Sequence, residues 1–163
     1  SRTCVENTVG VATERVRGIG WWCAALLTLK LPVAATMRHN YAGMAIPTFP
    51  LSTPEGGLLP AAWDYRVALQ FAHRVLAVII GIFVLIYSHF LWRDKSLRVL
   101  LRGTSFLLVG LVALQISLGA QIIWTGRSVY VTTAHVLVGA LTLATTFAVA
   151  FFTHRASIEE AHR

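Results

Sequence analysis

Three stretches, residues 67–92, 106–124 and 129–152, are each long and apolar enough to cross a bilayer as a single helix, the threshold being about 18 residues. Such runs have few ways to fold. A fourth stretch, residues 19–37, has the length but carries Lys30 and Pro32, and a lysine at a helix centre costs about 3 kcal/mol on insertion scales. Arg15 and Arg17 ahead of it and Val33, Ala34 and Ala35 within it also give it some look of a signal peptide. The reading adopted is an irregular span in which Lys30 snorkels outward and Pro32 is tolerated near the helix end. Composition agrees: 56% of the 163 residues are hydrophobic and 13% charged, against about 25% charged in a soluble domain.

The connection over residues 38–66 is long and rich in Pro and Gly, whereas the other two are short. Short connections make successive helices antiparallel neighbours. The expected fold is therefore all-α, an integral membrane four-helix bundle with a long outer loop between helices 1 and 2. Residues 1–18 form an N-terminal segment, 19–153 the transmembrane domain and 154–163 a polar tail that frays from Ser157 onward.

The net charge of +7 would suit nucleic acid if it formed one basic face, but it lies in the loops. Arg2, Arg15, Arg17, Arg93, Lys95, Arg98, Arg102, Arg155 and Arg163 fall on one side of the predicted membrane, and only Arg38, Arg66 and Arg127 on the other. Basic loops stay cytoplasmic. Both termini are therefore expected in the cytoplasm of a bacterial inner membrane, with the lipid bilayer, not nucleic acid, as the partner of the positive charge. Trp21, Trp22, Trp63, Trp92 and Trp124 fall near span ends, as in an interfacial belt. Cys4 and Cys23 form no CxxC or CxxCH motif, so neither a disulfide framework nor a covalently attached haem is indicated.

Ligand-type side chains inside spans need a reason to be there. His73 and His135 each lie six residues past the outer start of a predicted span, about 9 Å deep at 1.5 Å per residue. Their helices run in the same direction, so the depths match. Two imidazoles at one level, from two helices of a bundle, are what the opposite faces of a haem require. Ala77 and Gly81 follow His73, and Gly139 follows His135, at helical spacing, which leaves room for a flat ring. Arg74 is placed to pair with a haem propionate, and Gln70, one turn before His73, either orients it or a ligand or makes an interhelical hydrogen bond. The alternative is a bundle without cofactor, in which small residues form packing seams and each histidine bonds a neighbouring helix. His89 lies too deep to share an iron with His135, His39 borders the loop, and His154 and His162 fall in the tail. Gln115 and Gln121 read as packing residues, and Glu55 and Asp64 as loop carboxylates of open role.

Residues 38–74, RHNYAGMAIPTFPLSTPEGGLLPAAWDYRVALQFAHR, resemble the haem A synthase family, as do 114–126, LQISLGAQIIWTG, and 132–140, TTAHVLVGA. The resemblance spans roughly residues 33–153. It implies one of two homologous four-helix halves, each with a histidine pair on its second and fourth helices, and so implies His73 and His135 as haem ligands. Family members oxidise a methyl group of haem O to the formyl group of haem A. The loop here reads Ala45-Ile46-Pro47-Thr48-Phe49-Pro50, without the Cys-Pro-Asp-Trp-Pro of many N-terminal halves, and the helix reads Gln70-Phe71-Ala72-His73-Arg74, without their catalytic Glu. The chain therefore resembles the C-terminal half, which carries a haem b that passes electrons. The resemblance implies part of an oxidoreductase that is inactive as this half alone, working with a second half or another copy, with haem O or haem A as the alternative ligands. A cytochrome b-type electron-transfer subunit is the competing function, though a plain electron carrier has no need of the loop over residues 38–51.

Overall fold

A computed structural model describes residues 14–95, 97 and 99–161. Arg2, Cys4, Arg98, His162 and Arg163, used in the sequence reading, lie outside the described residues. Four helices follow in order: α1 (Glu14–His39), α2 (Tyr65–Arg93), α3 (Val99–Trp124) and α4 (Val129–Ala161). All four are long and apolar enough to cross a membrane, and no strand occurs among the described residues. The chain is an all-α membrane bundle.

Each helix packs against its sequence neighbour, and α1 closes the ring against α4. The diagonal pair α2 and α4 thus runs in one direction. An apolar core that includes Val16, Cys23, Leu27, Val84, Tyr87, Leu91, Leu108 and Val149 fills the end of the bundle away from the long loop, where α1 begins and α4 ends. α1 and α2 come close there because Gly20 has no side chain: a Cβ at that position would lie 2.7 Å from the Tyr87 hydroxyl and 2.9 Å from its ring. Buried Thr142, Thr146 and Thr153 on α4 donate their hydroxyls to carbonyls one turn back, which satisfies them inside an apolar setting.

Three helices differ appreciably in extent from the sequence reading, and α3 begins at Val99 rather than at residue 106. α1 passes through Pro32 and continues to His39. α4 extends into the polar tail to Ala161, so residues 157–161 are helical rather than frayed, and His154 sits edge-on to Trp21 at 6.1 Å. Polar residues at a membrane surface can prolong a helix whose interior turns are already fixed, because nucleation has been met.

The connection between α1 and α2 is ordered. The chain leaves α1 through Tyr41 in the left-handed region, φ 53°, and makes a short 3-10 turn over Ala42–Met44. Ser52 N donates to Gly57 O at 2.8 Å, and Gly57 N to Thr53 Oγ1 at 2.9 Å. α2 begins where Asp64 accepts from Val67 N at 2.7 Å. That is a standard N-cap, satisfying a donor the helix itself leaves free, and it gives Asp64 a structural role. Glu55 is exposed in the preceding turn.

Candidate functional site

The loop-side end of the bundle is built around α2. Gln70, 4% exposed, turns its amide onto the loop: it accepts from Ile46 N and donates to Gly43 O at 2.9 Å. One turn on, Arg74 Nη2 donates to Ile46 O at 2.9 Å and Thr48 O at 2.7 Å. Its guanidinium also lies 5.7 Å from the centre of the Phe49 ring, and Phe49 in turn meets Trp124 of α3 edge-on at 6.2 Å. Residues 43–49 are thus strapped across the bundle mouth from α2 to the end of α3. Gln70 serves the loop rather than a histidine, and Arg74 spends one nitrogen on it. Arg74 Nη1 is buried without a hydrogen-bond partner.

His73 and His135 project from the diagonal helices α2 and α4. The Nδ1 atoms of both are buried without a partner. A buried polar nitrogen left unpaired costs about 1–3 kcal/mol, so both atoms are open to a partner from outside the chain. Nε2 of His135 is 3.2 Å from the Gln115 amide of α3. Gln115, read from the sequence as a packing residue, thus stands against His135. Gly139, expected to leave room for a ring, instead makes room for that amide: a Cβ there would lie 3.0 Å from Gln115 Nε2. A Cβ at Gly119 would lie 3.5 Å from His135 Cε1, an ordinary contact, and one at Gly81 would lie 3.9 Å from Val112 of α3.

Lys30 is the principal departure from the sequence reading. Its side chain does not snorkel outward; Nζ donates to His73 O at 3.1 Å. The physical reason is that α1 is rotated to present Lys30 to α2, where a backbone carbonyl and a polar interior offer more than lipid does. His89, as expected, takes no part: it is exposed near the other end of α2, its ring edge-on to Phe90 at 5.7 Å. His39 ends α1 and is exposed.

Among the described residues no group of three or more His, Cys, Asp or Glu side chains could hold a metal ion. Two imidazoles suit instead a metal whose remaining positions are already filled by a planar ring. The surrounding cations, Lys30 and Arg74, suit a ring that bears carboxylates. The residues present therefore fit an iron porphyrin.

A family model described as cytochrome oxidase assembly protein matches residues 5–147. Haem A synthases of Listeria welshimeri and Listeria monocytogenes are 30% and 29% identical to the chain over 110 residues, 68% of this chain and 35% of theirs. That of Novosphingobium aromaticivorans is 27% identical over 159 residues, 87% of this chain and 43% of its own. The chain belongs to the haem A synthase family, and it spans less than half the length of these curated relatives. No solved structure matches it.

Proposed function

We propose that this chain is a haem-binding four-helix unit of haem A biosynthesis, in which His73 and His135 ligate one haem b and the unit passes electrons. The observation that carries this reading is the pair of buried, unpartnered Nδ1 atoms on diagonal, parallel helices. When bound there, an iron porphyrin supplies a one-electron carrier.

The chain's own residues divide the remaining work. His73 and His135 each offer one imidazole nitrogen. Gln115 contacts Nε2 of the His135 ring, and its amide would have to move aside for that nitrogen to hold a metal. Gln70 and Arg74 hold residues 43–49 over the mouth of the site, which limits water entry. Arg74 Nη1 remains available to a carboxylate such as a propionate. Described carboxylates take no part: Asp64 caps α2 and Glu55 is exposed. A unit with a single histidine pair and no carboxylate at it suits electron passage better than oxidation of a haem methyl group, so the oxidation requires a second half or a second copy. The unit sits in a bacterial inner membrane with both termini cytoplasmic, a reading supported by the distribution of Arg and Lys.

The test is expression of these 163 residues in a host that makes haem O, with pyridine haemochrome analysis of the purified protein and chromatography of its extracted haems. Bound haem b without product supports the reading. Haem A or a hydroxylated precursor would place the oxidation in this half and overturn it.

A further inference from the structure

We propose that Lys30 is an electrostatic positioning residue of this haem site, its ammonium fixed beside His73 so that it raises the reduction potential of the bound iron. The inference rests on the haem reading above and goes beyond it to a residue on a third helix.

A lysine within a membrane span is costly and persists where something offsets it. Here Nζ donates to the carbonyl oxygen of His73, a neutral dipole, at 3.1 Å. The ion pair found among the described residues joins Arg17 to Glu14 near the start of α1; Asp64 is committed to the α2 cap and Glu55 is exposed. Arg74 follows His73 directly on α2, so two basic side chains, Lys30 and Arg74, stand at this proposed ligand. An interior lined with cations and no carboxylate is complementary to a tetrapyrrole that brings its own carboxylates.

The sign of the effect follows from charge. Ferric iron carries one more positive charge than ferrous, and a fixed cation nearby disfavours the ferric form more. Screening is weak away from bulk water, so the effect survives at ordinary ionic strength. An electron-passing haem held by two neutral imidazoles otherwise relies on burial and hydrogen bonding for its potential. Lys30 adds a charge the chain can set with one residue.

The experiment uses the haem-loaded protein with Lys30→Gln, Lys30→Met and Lys30→Arg, read by absorption spectrum and by optical redox titration. Gln keeps an amide donor without charge, Met removes both, and Arg keeps the charge. The expected result is a low-spin spectrum in all three, with the midpoint shifted negative in Lys30→Gln and Lys30→Met and near the wild-type value in Lys30→Arg. A wild-type midpoint in Lys30→Gln overturns the proposal. Loss of haem from both Lys30→Gln and Lys30→Met also overturns it, making Lys30 a structural clamp. Absence of a low-spin spectrum in the unsubstituted protein refutes the haem reading itself, a separate failure.

Discussion

Replacing Gln70 by Ala tests whether the loop strap is held as the structure describes. The side chain satisfies two backbone groups at once, accepting from Ile46 N and donating to Gly43 O. Ile46 is 2% exposed, so water does not replace the lost acceptor without opening the loop. An unsatisfied buried backbone group costs about 1–3 kcal/mol; Ile46 N is such a group, whereas Gly43 is half-buried and water replaces its donor. At 1.36 kcal/mol per factor of ten, the opening equilibrium of residues 43–49 rises about 5-fold to about 160-fold. Hydrogen exchange read by mass spectrometry in detergent, on a peptide covering Ile46, measures this directly. The same substitution at exposed Gln121 serves as the control and leaves exchange unchanged. If Gln70→Ala changes the Ile46 amide by less than about threefold, the loop is held by something other than this clasp and the argument fails.

Other outcomes follow from individual contacts. Arg74→Leu frees the Ile46 and Thr48 carbonyls and the Phe49 ring, so limited proteolysis cuts within residues 43–49 faster, and Arg74→Lys restores only part because an ammonium lacks the planar fork; unchanged cleavage in the Leu variant contradicts this. Gly20→Ala drives a methyl group into the Tyr87 ring and hydroxyl and destabilises by about 1–3 kcal/mol, whereas Gly103→Ala, with nothing within 4 Å, does not; equal thermal stabilities would refute the α1–α2 packing. Gln115→Ala removes the amide beside His135 Nε2 and leaves low-spin haem bound, and a lost low-spin band would make Gln115 essential to the site. Reporter fusions at the N-terminus and at Ser157 both read cytoplasmic, and an external N-terminus contradicts the charge argument.

The four helices were legible because a run of apolar residues of bilayer length leaves the backbone one economical way to satisfy its own hydrogen bonds. The placement of His73 and His135 on helices that run in one direction was legible for a related reason: short connections fix helix direction, and helical rise converts sequence offset into depth. The contacts that shape the site were not. Gln70 with Ile46, Arg74 with Thr48 and Lys30 with His73 join residues separated by 24, 26 and 43 positions, and each depends on how an irregular loop folds back or how α1 is rotated about its axis. Neither is carried by periodicity. Gly139 illustrates the same limit: spacing identified an open position on the face of His135, but only the placement of α3 shows that Gln115 uses it.

The central claim is that His73 and His135 hold one haem iron, and the absorption spectrum of the purified protein beside its His73→Ala, His135→Ala and His89→Ala variants tests it most directly. The account predicts a low-spin bis-imidazole spectrum in the unsubstituted protein and in His89→Ala, and its loss or conversion to high spin in each of the other two. An unchanged low-spin spectrum in either His73→Ala or His135→Ala would contradict it.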